Sequence, residues 1–435
     1  MSEHRSEGTE NVGGCMKGFR FTENFELGVA SAATQVDGDC KESNWYDWYQ
    51  KGHIKDGSDP DITTMHRRYL REDTKLMAAM GIKHNRFGIE WARIEPEEGV
   101  FCEEEFDKIR EELLLLREEN IHPLVTVHHF SNPMWFERKG AFLCPDCVSI
   151  FLRLIRKVAE ELGDLVSEYI TINEPNVYAV SGYFGGGFPP GENSIFHTLK
   201  VMQNMGECHR RAYELIHAVR REQGHEDTKV GFAHHMRAFS PMNPGNPWHR
   251  LCTKISRDLF QDRMTKTYLL GTKKDPGRYA DFLALNYYTR TASKGFADGT
   301  FAGAAVNDLG WEIYPQGIVE CCKALHDTVP ELPIYITENG TADNTDAFRR
   351  RYLYDHLKAL SESSLPVTRY YHWCFVDNFE WLEGFSTRFG LVELNTKTME
   401  RSVKKSGRFY SRMIENHGVT DEMAAELEGE RYRHV

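Results

Sequence analysis

Glu174 and Glu338 each end a short apolar run, Tyr169-Ile170-Thr171-Ile172-Asn173 in one case and Ile334-Tyr335-Ile336-Thr337 in the other. Pro175 and Gly340 then interrupt extended structure. An ionised carboxylate inside such a run would shed its water without a partner, so each glutamate belongs where a buried strand opens onto a cleft. Two carboxylates that face one glycosidic bond can divide the work. One, protonated, gives its proton to the leaving oxygen, while the other, ionised, attacks the anomeric carbon.

A ring of side chains suited to a sugar stands near the ends of other runs: Gln35, Arg86, His129, Asn173, Asn286, Tyr288, Trp373, Glu380 and Trp381. Amides, an imidazole and a carboxylate offer paired donors and acceptors to hydroxyls, and indoles offer flat apolar surface to the C–H faces of a pyranose.

Positioning these residues takes eight strands that alternate with helices. The runs at 25–33, 84–91, 122–129, 169–174, 229–235, 281–288, 333–338 and 367–375 read as strands. Helical spacing appears at 61–80, 106–119, 148–162, 199–223, 252–270, 318–327, 347–361 and 403–415. Eight βα units predict parallel pairing with right-handed crossovers, hence an α/β fold: a single (β/α)8 barrel with inserted βα loops and its active site at the C-terminal ends of the strands. Residues 1–19 read as a disordered start, 20–418 as the barrel and 419–435 as a charged tail.

A net charge of −12 argues against a nucleic-acid partner. No apolar stretch reaches the roughly 20 residues of a membrane span, and the polar N-terminus lacks a secretory core, so a cytoplasmic location is expected. Scattered cysteines such as Cys252, Cys321 and Cys374 fit buried thiols in a reducing compartment. Cys144 and Cys147 form a lone CxxC, and the pairs His128-His129 and His234-His235 alternate across a strand, so no metal site is expected. No cofactor is implied. The expected partner is a small-molecule β-glycoside, and self-association is left open.

The motifs resemble those of glycoside hydrolase family 1, the retaining β-glucosidases and β-galactosidases, over most of the chain. Thr171-Ile172-Asn173-Glu174-Pro175 resembles the family's acid/base motif, and Ile336-Thr337-Glu338-Asn339-Gly340 its nucleophile motif. Asn85-Arg86-Phe87, Asn286-Tyr287-Tyr288-Thr289, Gly310-Trp311-Glu312-Ile313-Tyr314-Pro315 and Asp377-Asn378-Phe379-Glu380-Trp381 complete the likeness. The resemblance implies Glu174 as acid/base and Glu338 as nucleophile, with Arg86, Asn286 and Tyr288 holding Glu338. Gln35, His129, Asn173, Glu380 and Trp381 would bind hydroxyls, with Trp373 as an apolar floor. It further implies an exo-acting, retaining β-glycosidase for unphosphorylated β-glucosides, with tolerance for β-galactosides or β-fucosides, because a carboxylate at Glu380 repels a phosphate. Phe130, Ala141-Phe142 and Asp37 depart from the family pattern, and Phe130 in place of tryptophan removes one indole donor. A barrel that binds without reacting and a dedicated transglycosylase are the competing readings.

Overall fold

A computed structural model describes residues 16–435, in which eight parallel strands close into a barrel. They are β1 Glu26–Ala30, β2 His84–Gly88, β3 His122–His128, β4 Glu168–Asn173, β5 Lys229–Pro241, β6 Leu283–Ser293, β7 Ile334–Asn339 and β8 Val367–Trp373. Each strand pairs with its neighbour in the chain, and β8 pairs with β1 to close the ring. No barrel edge is left unpaired.

The helices introduced below are α1 Leu70–Ala79, α2 Glu103–Glu118, α3 Cys147–Leu162, α4 Pro175–Tyr183, α5 Ile195–Glu222, α6 Pro247–Arg257, α7 Arg263–Leu269, α8 Gln316–His326, α9 Arg349–Ser361 and α10 Lys405–Asn416. Helix α3 shows how the shell is held: Ile150, Phe151, Leu154, Ile155, Val158, Ala159 and Leu162 recur at helical spacing and are all buried. Truncating Leu154 to alanine leaves a void at this seam, a loss of about 2–5 kcal/mol.

Two expected helices differ from their sequence pattern. The one anticipated over 61–80 begins only at Leu70, because Met65 takes a left-handed conformation (φ 55°) and buries its side chain from a loop. The one anticipated over 252–270 splits into α6 and α7 around a wider turn at Asp258–Asp262. Strands β5 and β6 run on past the rim, pairing from Ala238↔Arg290 to Pro241↔Ser293 as a two-stranded ribbon above the barrel.

The termini are joined. Phe19 and Arg20 pair antiparallel with Val419 and Gly418, so the end of the segment expected to be disordered is a short strand; residues 1–15 lie outside the described part. The charged segment 419–435 folds back onto the barrel with Met423, Ala424 and Leu427 fully buried, and Arg433–His434 pairs with Ala305–Val306. Its apolar residues are few, but their spacing puts them on one face. Among the described residues no helix is long and apolar enough to cross a membrane.

Candidate active site

Glu174 and Glu338 stand at the C-terminal ends of β4 and β7, where the register of both strands shifts. Glu174 is the junction of two structures. Its N–H donates to the Ala233 carbonyl of β5 at 2.8 Å, and its own carbonyl accepts from Tyr178 at 3.0 Å to open α4, with Pro175 at the first helical position. Serving both requires a left-handed backbone (φ 43°). Phe130 (φ 63°) and Trp381 (φ 48°) share this unusual state at the same mouth, each at a cost of about 1–3 kcal/mol that the surrounding packing offsets.

Arg86, wholly buried on β2, orders the polar groups. Its Nη1 donates to Glu338 Oε1 at 2.5 Å, its Nη2 to Asn173 Oδ1 at 2.7 Å and its Nε to Thr126 Oγ1 at 3.0 Å. A guanidinium can only donate, so the Asn173 oxygen is fixed. Asn286 Nδ2 donates to that oxygen at 3.0 Å and to Glu174 Oε1 at 2.8 Å, while Asn286 Oδ1 accepts from Thr337 Oγ1 at 2.6 Å. Asn173 Nδ2 then faces His129 Nε2 at 2.9 Å, so His129 accepts there and carries its proton on Nδ1. Burial, reinforced by the charge of Arg86, keeps His129 neutral, well below its ordinary range. Tyr288 donates its hydroxyl to Glu338 Oε2 at 2.6 Å.

On the far side of the mouth, Gln35 Nε2 donates to the Phe379 carbonyl at 2.8 Å, to Asn378 Oδ1 at 3.2 Å and to Glu380 Oε2 at 3.2 Å. Trp373 Nε1 reaches Glu380 Oε2 at 3.4 Å. The Trp381 ring lies against His129 (centroids 5.8 Å apart, 27°) and Trp45 (4.6 Å), and Trp373 lies against His129 at 5.8 Å. Gln35 Oε1, His129 Nδ1 and Asn378 Nδ2 are buried without a protein partner, which leaves convergent acceptor and donor atoms within one aromatic box.

The sequence matches Glycosyl hydrolase family 1 over residues 18–276 and 273–419. The chain belongs to this family. It is 30% identical to Beta-glucosidase A of Thermotoga maritima over 448 residues, covering 92% of this chain and 99% of the relative. It is 27% identical to the Beta-galactosidase of Saccharolobus solfataricus, over 93% of this chain and 97% of that one. Among solved structures it resembles the beta-glycosidase from Pyrococcus horikoshii with a TM-score of 0.86 and 33% identity, over 94% of this chain and 98% of that chain. The protein is a glycoside hydrolase of the β-glucosidase and β-galactosidase family, and its closed barrel is the fold of these relatives.

Family membership sets the site residues in context, and two features differ from the sequence expectation. Asn286, expected on Glu338, donates to Glu174: although paired in register with Glu338, its inward amide reaches across to β4. Inward side chains of alternate barrel strands share a layer, which brings β6 and β4 together. Trp381 packs against His129 and Trp45, and among the described residues no protein acceptor takes its indole N–H, which leaves that donor open to a ligand. The second concerns protonation. Burial pushes Glu338 up to about 7, opposed by Arg86 and assisted by the charge of Glu174, whereas Glu174 is drawn down because the charge and hydrogen bond of His235, with Asn286 and Arg86, outweigh its burial. This is the reverse of a protonated Glu174 beside an ionised Glu338, and it holds only with a positive charge at His235, which Arg237 opposes by donating its Nε–H to His235 Nε2 at 3.3 Å.

Glu380 is pushed up to about 8, by burial first; the Trp373 hydrogen bond lowers it and Glu338 raises it. It therefore carries little charge at neutral pH in this arrangement, which weakens the electrostatic case against phosphorylated sugars. The residue that sequence reasoning missed is His235. Its Nδ1 lies 3.1 Å from Glu174 Oε1, whereas His234 points outward to Thr265 Oγ1 at 2.9 Å. Alternation along β5 already separates the two faces; what it lacks is the register Asn173↔Ala233, which brings His235 level with the glutamate. Among the described residues no three His, Cys, Asp or Glu side chains are grouped to hold a metal.

Proposed function

We propose that the protein is an exo-acting, retaining β-glycosidase that hydrolyses unphosphorylated β-glucosides, with tolerance for β-galactosides or β-fucosides. Glu338 attacks the anomeric carbon and Glu174 protonates the leaving oxygen. Glu174, then ionised, takes a proton from water as that water displaces Glu338 from the covalent glycosyl-enzyme. The observation that carries this reading is the continuous chain of hydrogen bonds from Glu338 through Arg86, Asn173 and Asn286 to Glu174, which orients both carboxylates in one buried mouth. Tyr288 and Arg86 stabilise the ionised form of Glu338, and Gln35, His129, Asn173, Trp373, Glu380 and Trp381 enclose the sugar.

Nine cysteines of the described residues are free, eight of them buried, in keeping with a reducing cytoplasm. The deciding experiment follows the first-formed anomer by NMR during cleavage of an aryl β-glucoside. The β-anomer supports double displacement, and the α-anomer would overturn it. In E338A, added azide should yield the α-glycosyl azide.

A further inference from the structure

Two groups of strand β5, His235 and Arg237, and Asp298 from the loop after β6 stand in a line toward Glu174. Asp298, on a loop at the mouth, accepts from Arg237 Nη1 at 3.1 Å; Arg237 Nε donates to His235 Nε2 at 3.3 Å; His235 Nδ1 meets Glu174 Oε1 at 3.1 Å. Arg237 also lies over the Phe260 ring at 5.2 Å, and His235 lies nearly parallel to Tyr288 at 6.0 Å with its edge toward Phe260 at 5.9 Å. The imidazole is thus held in orientation on three sides.

An arginine has no acceptor, so the nitrogen it meets must be the unprotonated one. His235 is then neutral with its hydrogen on Nδ1, where it donates to Glu174 Oε1. That same oxygen accepts from Asn286 Nδ2 at 2.8 Å. Two donors fill both lone pairs of Oε1, and among the described residues no hydrogen bond reaches Oε2.

We infer that His235 is a positioning residue that, kept as the neutral Nδ1–H tautomer by Arg237, confines the exchangeable proton of Glu174 to Oε2, the oxygen presented to the leaving group. The inference rests on the proposed acid/base role of Glu174. No proton leaves His235. In glycosylation the Oε2 proton passes to the glycosidic oxygen while the C–O bond breaks, and in deglycosylation Oε2 takes a proton from water. A neutral donor also suits both half-reactions better than an imidazolium, whose charge would bind the carboxylate too strongly to let it act as an acid. Facing this pair are Tyr288 and Asn286 from β6, Arg86 from β2, Glu338 from β7 and Arg237 on the same strand, with Arg290 and Glu312 farther out along the mouth.

The test uses the full-length enzyme with an alkyl β-glucoside, which requires protonation, and a dinitrophenyl β-glucoside, which does not. E174Q comes first: equal losses on both substrates sink the acid/base reading itself. With that reading standing, H235F should lower kcat/KM on the alkyl substrate by about 10- to 100-fold, and on the aryl one by less than about threefold. Its alkaline limb should move to higher pH because a donor to the ionised carboxylate is gone. H235N, which keeps an amide N–H near the Nδ1 position, should recover most of the loss. R237M alters a partly exposed side chain and remains informative if H235F fails to fold; freeing Nε2 to take a proton should move the alkaline limb to lower pH, opposite in sign to H235F. Equal effects of H235F on both substrates, no recovery in H235N, or shifts of the same sign in H235F and R237M would overturn the inference.

Discussion

The two sides of the mouth are built differently. The side proposed to hold the sugar, formed by Gln35, His129, Trp373, Asn378, Glu380 and Trp381, consists of strand ends and the short segments that follow them, and its polar atoms are locked by aromatic walls. The side proposed to face the leaving group, formed by His235, Arg237 and Arg290 on the ribbon of β5 and β6 with Asp298, Trp311 and Glu312 from the loops after it, surrounds an open cavity of about 300 Å³. Arg290 there is ion-paired with Glu312 and lies over Tyr314 at 3.9 Å, while Trp311 remains 37% exposed. On the proposed function, one half recognises a fixed ring. The other tolerates variety, because its charges are already paired among themselves and its surface is open.

Breaking the junction between the halves should have the largest effect. E338A removes the proposed nucleophile, and kcat should fall by at least about 10⁴-fold on every substrate, with the thermal transition unchanged. E174Q should cost about 10²–10⁴-fold on alkyl β-glucosides and far less on dinitrophenyl β-glucoside; a uniform loss in steady-state assays would remove the distinction between the two sides. On the sugar side, E380A leaves Gln35 and the Trp373 indole without their carboxylate. It should lower kcat/KM by about 10²–10³-fold for glucosides, because polar groups built to meet a hydroxyl are left unpaired; a series of 4- and 6-deoxy glucosides should then lose its discrimination. On the leaving-group side, W311A should change kcat/KM by only about tenfold, and only with the identity of the aglycone.

The smallest effect is on stability. Glu380 has a folded value of about 8 against an ordinary 4.5, so the folded state binds the extra proton and the carboxyl opposes folding progressively as pH rises from about 4.5 through 8. E380Q should therefore melt higher than the parent at pH 9, by up to a few kcal/mol in stability, with the difference vanishing toward pH 4. Calorimetry that shows a pH-independent difference would separate the carboxyl's burial from its charge.

This contrast also explains what could be read from the chain. The eight strands and the two glutamates were legible because their apolar runs are short, β-branched and sharply ended, as in Glu168–Asn173 and Ile334–Asn339. Arg86 and Tyr288 were legible as partners of Glu338 through motif likeness. Asn286 shows the limit: its position along β6 is evident, but which carboxylate it meets depends on how alternate strands cross the barrel. His235 and Arg237 lay in a segment read as strand only to residue 235, so the extension to Pro241 and the chain of groups along it were invisible. The helix expected from 61 failed for a related reason, since Met65 has the spacing of a helix and the backbone of a turn.

The last residues of the chain have a part in this. Gly303 donates to the Val435 carbonyl, Val435 to that of Ala304, and Arg433–His434 pairs with Ala305–Val306, a few residues before Trp311. If the loop that carries Trp311 meets the aglycone as proposed, its backbone is anchored by residues 433–435, and an affinity tag fused after Val435 would pull on the very loop whose selectivity an assay sets out to measure.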